Sequence, residues 1–293
     1  MTKPVGFIGI GLMGAGFTKR LIDQGYEVVG YDIDDTKLDA AAEWGVRRAA
    51  SPAEIAGMCD IVCVCVTTSK AVAAVVSGEG GLISAGSLTD TVIVDFSTTE
   101  MAVTKELAAA VARAGGAFID APVSGGPPAA ETGALAIMAG GDEAAMATVR
   151  EVLEALGKLS HMGPTGAGQA TKLVNQALCL TNYCIVAEGL RIAEAYGVDT
   201  GKIPDALSPG LANSAVLQSV YPRMVARDYA PRGYARQILK DLEMLHEATK
   251  EQHLSLPMTG QALTLFRMLV AQGKSELDGA AVVTLLPEPG SEG

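Results

Sequence analysis

Val5-Gly6-Phe7-Ile8-Gly9-Ile10-Gly11-Leu12-Met13-Gly14 lies near the start of the chain, and its reading decides the fold. The apolar run from Val5 to Ile10 has the length of a buried strand, and a helical pattern opens after it and continues through Arg20 and Leu21. Between them Gly9 permits a tight turn, Gly11 lets a backbone approach a pyrophosphate, and Gly14 allows close helix-to-strand packing. The N-terminus of the helix attracts the anion. A bare G-x-G-x-x-G also fits an ordinary glycine-rich turn, so its position carries the argument. The next strand ends at Asp32, roughly twenty residues on, where an acidic side chain can bind ribose hydroxyls. Gly9, Gly11, Leu12, Met13, Gly14 and Asp32 are therefore read as a dinucleotide site. Asp32 would repel the extra phosphate of NADP, so NAD is expected in preference to NADP. Lys37, the nearest possible phosphate partner, reads as a solvated helix residue.

Outward from this turn, Val/Ile-rich runs alternate with Ala-rich helical segments: Glu27 to Asp32, Ile61 to Val66, Val92 to Asp95 and Ala117 to Asp120. Such alternation predicts parallel strands with crossover helices, and near-continuous apolar runs predict a sheet covered on both faces. Leu135 to Ala139 and Leu159 to Met162 extend it. Strand ends line the ligand crevice of such sheets, which adds Val66 and Thr67 to the cofactor site. After Gly163-Pro164-Thr165-Gly166 the pattern becomes helical, with one long helix from Gln169 to Tyr196 and further helices at Pro204 to Leu207, Ala215 to Arg227, Gln237 to Gln252 and Met258 to Gln272. A frayed tail is expected from Pro287 to Gly293. The expected fold class is α/β: a doubly wound sheet over residues 1–164, then an all-helical domain over 165–293.

A chain of 293 residues with 49% hydrophobic content can bury a substantial core. Its net charge of −11 and lack of clustered Lys and Arg argue against a nucleic-acid partner. No apolar run approaches the ~18 to 20 residues of a membrane helix, so no membrane association is expected. Met1-Thr2-Lys3-Pro4 leads straight into the first strand without the pattern of a cleavable signal. The five cysteines form no C-x-x-C pair and read as buried thiols, which fits the cytoplasm. His161, His246 and His253 show no metal-ligand spacing, and no metal is expected.

Lys172 and Asn175 stand three apart near the start of the long helix and share a face. Taken alone, a lysine there is usually solvated. Around it, however, four ordered blocks recur: Gly9-x-Gly11-Leu12-Met13-Gly14, Asp120-Ala121-Pro122-Val123-Ser124-Gly125-Gly126, Gly166-x-Gly168-x-x-x-Lys172-x-x-Asn175 and Lys240-Asp241-Leu242. With these blocks the chain resembles the β-hydroxyacid dehydrogenase family over nearly its whole length. The resemblance implies that Lys172 is catalytic and that Asn175 orients the substrate. It also implies that Ser124, Gly125 and Gly126 hold a substrate carboxylate, that Thr98 contacts the cofactor, and that Lys240 lies near substrate and nicotinamide. Independently, a Ser-Gly-Gly turn offers exposed N–H groups and a hydroxyl, a suitable nest for a carboxylate. Hydride transfer between NAD and a small 3-hydroxy acid, such as 3-hydroxyisobutyrate, is the expected reaction, with Lys172 exchanging the hydroxyl proton. A free lysine, with pKa ~10.4, is a poor base at neutral pH. Burial and the nearby positive charges of Lys240 and oxidised nicotinamide are expected to lower it.

The chain departs from the family at three places. Pro127-Pro128 follows the Ser-Gly-Gly turn, where it would stiffen the loop and remove two backbone donors. Gln176 stands where a second Asn is common, and Tyr234 where Phe often precedes the Lys-Asp pair. Four functional readings stay open: a 3-hydroxy acid dehydrogenase, a reductase of semialdehydes or glyoxylate, a non-catalytic NAD-binding regulator, and an imine-reducing enzyme, against which the presence of Lys172 counts. The partner is a small hydroxy acid or aldehyde acid. The long apolar helix implies a homodimer or homotetramer.

Overall fold

A computed structural model describes residues 3–290. The expectations for Met1-Thr2 and for the end of the tail fall outside the described residues. Nine strands form one sheet: β1 (Val5–Ile8), β2 (Val28–Tyr31), β3 (Arg47–Arg48), β4 (Ile61–Val64), β5 (Val92–Asp95), β6 (Ala117–Asp120), β7 (Val123–Ser124), β8 (Leu135–Gly140) and β9 (Gly157–Gly163). Their order is β3-β2-β1-β4-β5-β6-β8-β7, with β9 also on β8. Pairing is parallel from β3 through β6 and antiparallel where β8 meets β6 and β7. The chain reverses its direction of travel across the sheet between β1 and β4, and such a switch point opens a crevice beyond the strands' carboxyl ends.

The crossovers are α1 (Leu12–Asp23), α2 (Asp35–Glu43), α3 (Pro52–Met58), α4 (Ser69–Ser77), α5 (Met101–Arg113), α6 (Gly126–Thr132) and α7 (Glu143–Leu156). Short side-chain caps start several of them: Asp34 accepts from Thr36 N–H, Thr68 from Ala71 N–H and Asp142 from Ala144 and Ala145 N–H. Ser51 accepts from Glu54 N–H while Glu54 accepts from Ala50 N–H. β1 is buried throughout, and separate apolar clusters cover the sheet. Phe7, Phe17 and Phe96 pack together within one of them, with ring centroids 4.6 to 6.4 Å apart.

The long helix α8 (Ala167–Ala195) follows β9, then α9 (Ile203–Leu207), α10 (Ala215–Ser219), α11 (Tyr221–Val225), α12 (Ala235–Glu251) and α13 (Pro257–Ala271). The chain divides into two compact units, one ending at Lys172 and the other beginning at Leu173. The division falls inside α8 because its first turns are bonded to the sheet unit. Leu180, Ala187 and Leu190 of α8 are buried in the helical unit's own core with Tyr221, Leu242 and Phe266.

Three local features differ from the sequence reading. The two-residue strands β3 and β7 were not expected; β3 consists of two exposed arginines, whose polarity hides an edge strand. The single helix expected from Ala215 to Arg227 breaks at Val220, where Pro222 opens a new helical turn. A 3₁₀ segment from Gly279 to Leu285 was also missed. Its cap, the buried Asp278, accepts from Ala280, Arg232 and Gly233 N–H and pairs with Arg223 at 3.0 Å. Of those partners, Arg223, Arg232 and Gly233 come from a distant part of the sequence.

Candidate functional site

β1 ends in a turn that only glycine can make. Gly9 has φ +94°, and a Cβ there would lie 2.3 Å from the Cys65 carbonyl oxygen. A Cβ on Gly14 would lie 2.0 Å from the Gly9 carbonyl oxygen, which is why α1 can start so close to the strand. Gly11 caps α1 without a side-chain hydrogen bond, and a Cβ there would meet nothing within 4 Å. The space beside Gly11 is thus open at the N-terminus of α1, whose first amides have no partner inside the helix and suit an anion. Leu12 is exposed and Met13 partly buried beside it.

Asp32, just beyond β2, braces this turn. Its Oδ2 accepts from Ile10 N–H at 2.7 Å and its Oδ1 from Asp34 N–H at 2.9 Å. Lys37, read from sequence as solvated, is half exposed and lies 3.8 Å from Asp32 and 3.6 Å from Asp34. Arg48 pairs with Asp35 and Asp39. A cleft of about 600 Å³ opens here, lined by Asp32, the exposed Ile33, Asp35, Arg48 and Ala50.

Beyond β4 and β5 the hydroxyls divide by task. Thr68 caps α4 and the Ser69 hydroxyl accepts from Glu100 N–H, whereas Thr67 is exposed. The Ser97 hydroxyl accepts from Val66 N–H at 3.0 Å. Asp95, fully buried, accepts from Ser97 N–H at 2.9 Å and from the Thr99 hydroxyl at 2.7 Å. Burial pushes its carboxyl up to about 6, against the pull of these hydrogen bonds. Thr98 lies between two anchored neighbours and is half-buried.

The start of α8 is tied to β6 by a carboxylate from far away in sequence. Asp120 accepts from Gly166 N–H at 2.7 Å through Oδ1 and from Gln169 N–H at 2.9 Å through Oδ2. Burial raises the Asp120 carboxyl above its ordinary value, and these two N–H groups oppose the rise. The approach is close: a Cβ on Gly168 would sit 2.4 Å from the Asp120 carbonyl oxygen. One turn on, Lys172 is 8% exposed, and its Nζ donates to the Val123 carbonyl at 2.8 Å. The amine is thereby placed against the residue preceding Ser124-Gly125-Gly126. Gly125 and Gly126 both have positive φ, and the next two residues are not the stiff loop expected of Pro127-Pro128. They open α6, whose first turn leaves N–H groups unpaired in any case, so the missing donors cost little.

In the helical unit, Asn175 and Lys240 belong to one chain of polar contacts. Asn175 Nδ2 donates to Gln176 Oε1 at 2.8 Å, Gln176 Nε2 donates to Asp241 Oδ2, and Lys240 Nζ lies 2.9 Å from Asp241 Oδ1. Tyr234, immediately before α12, has the Arg236 guanidinium 4.4 Å from its ring centroid.

Known proteins match this chain over nearly its whole length. A family described as the NAD-binding domain of 6-phosphogluconate dehydrogenase matches residues 4–173. One described as the NAD-binding part of NADP-dependent 3-hydroxyisobutyrate dehydrogenase matches residues 166–286. A probable 3-hydroxyisobutyrate dehydrogenase-like protein of Arabidopsis thaliana is 36% identical, over 96% of this chain and 86% of its own. The 2-hydroxy-3-oxopropionate reductase of Escherichia coli is 34% identical, over 96% of each. This chain belongs to the β-hydroxyacid dehydrogenase family. The crystal structure of 3-hydroxyisobutyrate dehydrogenase from Salmonella typhimurium, 28% identical, superposes with a TM-score of 0.88 over 97% of this chain and all of that one. Membership makes the protein a hydroxyacid oxidoreductase built on pyridine-nucleotide-binding domains.

Several residues of this β-hydroxyacid dehydrogenase were not singled out from sequence. Asp120 and Gln169 fell inside quoted blocks without a role, and Asp95 was read only as the end of a strand. A polar residue at a strand's carboxyl end, or one helical turn before the candidate base, is the signal that could have found them. Among the described residues, no helix is long and apolar enough to cross a membrane.

Proposed function

We propose that this chain is an NAD-dependent dehydrogenase of a small 3-hydroxy acid, with Lys172 as the general acid/base group. The observation that carries the reading is the buried Lys172 amine held at the Val123 carbonyl, next to the Ser-Gly-Gly turn. Bound NAD would supply the hydride acceptor for oxidation and the donor for the reverse. Gly9, Gly11, Leu12, Met13, Gly14, Asp32, Val66, Thr67 and Thr98 would hold it, with Lys240 near its reactive end. Ser124, Gly125 and Gly126 bind the substrate carboxylate, while Asn175 and Lys240 orient the rest of the molecule. Lys172 takes the hydroxyl proton as the carbinol C–H leaves with its electron pair, and returns that proton in aldehyde reduction. In oxidation the proton taken up by Lys172 passes on to solvent before the next turnover, and in reduction Lys172 is reloaded from solvent.

NAD is favoured over NADP because the carboxylates of Asp32, Asp34 and Asp35 gather where a 2′-phosphate would lie. Lys37 and Arg48, the cations there, are already paired with acids. The name of the E. coli relative favours a second reading on the same site, reduction of a semialdehyde acid. A homo-oligomer is favoured by Val174, Leu178, Ile185 and Ile192, exposed apolar residues four or seven apart that make one stripe along α8, continued by the exposed Tyr196 just past its end. The buried thiols of Cys59, Cys63 and Cys184 favour the cytoplasm.

The test is a set of C3 and C4 hydroxy acids and semialdehydes assayed with NAD and NADP by nicotinamide absorbance. The expected result is turnover of a 3-hydroxy acid with kcat/KM at least about tenfold higher for NAD. Higher efficiency with NADP would overturn the cofactor assignment, and no turnover of any member would overturn the enzymatic one.

A further inference from the structure

Gln169 is 2% exposed, yet each polar atom of its side chain has a partner. Its Oε1 accepts from Thr99 N–H at 3.1 Å and its Nε2 donates to the Ser97 carbonyl at 2.8 Å. These two groups flank Thr98, so the amide grips the main chain on both sides of that one residue. Gln169's own N–H is bonded to Asp120, which also holds Gly166. The residue therefore joins three things: the Ser97-Thr98-Thr99 loop through its side chain, β6 through its main chain, and Lys172 through one turn of α8.

A helix that needed only to pack on the loop could do so with Leu. Burying an amide costs free energy unless both its donor and its acceptor are satisfied. Among side chains of this length only a primary amide can accept from one N–H and donate to a neighbouring carbonyl at neutral pH. The loop has other anchors of its own, since Asp95 bonds Ser97 and Thr99, and Ser97 bonds Val66. Removal of the Gln169 amide would thus leave the loop folded and free it only from α8.

We propose that Gln169 is a positioning residue that keeps Thr98, and the nucleotide it contacts, in register with the amine of Lys172. This inference rests on the reading of Lys172 as the acid/base group. Its logic is that of any hydride transfer: donor carbon, acceptor carbon and proton acceptor must be aligned together, and a displacement near 1 Å can cost on the order of 100-fold in rate.

The experiment compares Gln169→Leu and Gln169→Glu with the wild-type chain, using NADH as the binding probe and the hydroxy acid turned over fastest in the substrate set. Gln169→Leu is expected to lower kcat on the order of 10- to 100-fold. Its NADH affinity should change less than kcat does. The deuterium isotope effect from substrate labelled on the carbinol carbon should rise as hydride transfer becomes limiting. In Gln169→Glu, the neutral carboxyl can accept from Thr99 and donate to Ser97 as the amide does, whereas the ionised form has no proton for the Ser97 carbonyl. The ratio of its kcat to wild type should therefore fall as pH rises through the titration of that carboxyl. A role confined to packing would lower thermal stability and NADH affinity together with kcat, rather than kcat alone. Wild-type kcat and isotope effect in Gln169→Leu would overturn the inference. If that variant fails to fold, a pH-independent ratio in Gln169→Glu would overturn it instead. An inactive Lys172→Ala beside a normal Gln169→Leu removes this inference alone, while an active Lys172→Ala removes the proposed function beneath it.

Discussion

In the unit that ends at Lys172, the buried carboxylates are bonded to main chain: Asp32 to Ile10 and Asp34, Asp95 to Ser97, Asp120 to Gly166 and Gln169. In the unit that begins at Leu173, the two groups proposed to meet the substrate, Asn175 and Lys240, are linked through the side chains of Gln176 and Asp241. A carboxylate that holds N–H groups sets the path of a loop or the start of a helix. A chain of side chains on preformed helices sets only which atom each group presents. Here the Asp241 carboxylate, which can only accept, obliges Gln176 to turn its NH₂ toward it and its carbonyl toward Asn175. Changes at these main-chain anchors and turns of the first unit should accordingly move backbone and cost more than changes in the Asn175–Gln176–Asp241 chain of the second, which should reorient side chains.

The largest effect is expected at Gly14→Ala, because the added methyl meets the Gly9 carbonyl oxygen at 2.0 Å, and neither backbone segment can yield without displacing the turn. Thermal unfolding should report a loss of about 2 to 4 kcal/mol, and NADH titration a loss of binding. A wild-type melting temperature would mean that the turn is not rigid, and the contrast between the units would weaken.

Asp95→Asn comes next. The Asp95 carboxyl titrates at about 6 in the folded protein against an ordinary value of 3.8, so between these values the folded state binds the proton more tightly than the unfolded chain does. Its stabilising contribution is complete below about pH 4 and is lost as pH rises through about 6. Asn mimics the protonated form, accepting from Ser97 and donating to Thr99, and does not titrate. Wild-type stability measured against Asp95→Asn should therefore fall by on the order of 2 to 3 kcal/mol between pH 4 and pH 7. A constant difference across that range would show that Asp95 is not held at a raised value.

Gln176→Leu should have the smallest effect. It removes one donor from Asp241 and leaves the Lys240 ion pair in place, which should cost about 1 kcal/mol in chemical denaturation. Asn175 would then be free to present either side of its amide, and the substrate KM should rise a few-fold with kcat little changed. A loss as large as that of Gly14→Ala would erase the proposed distinction.

The parts of the molecule legible from sequence share a physical cause. Gly9 and Gly14 are visible because no other residue fits there, and Asp32 because strand length fixes its distance from the turn. The strands are visible because both their faces are buried. What stayed hidden depends on contacts remote in sequence: Asp120 reaches partners 46 and 49 residues away, and Gln176 one that is 65 away. No local pattern encodes those pairings. The two prolines after Gly126 were legible as residues but not as a helix start, since the same pair suits a rigid loop equally well.

Lys172→Ala tests the central claim most directly, once NADH titration has shown that the variant still binds cofactor. The expected result is a kcat lower by on the order of 10² to 10⁴ at saturating substrate and NAD, with NADH affinity near that of the wild type. Near-normal turnover in a variant that binds NADH would contradict the assignment of Lys172 as the group that exchanges the substrate's proton.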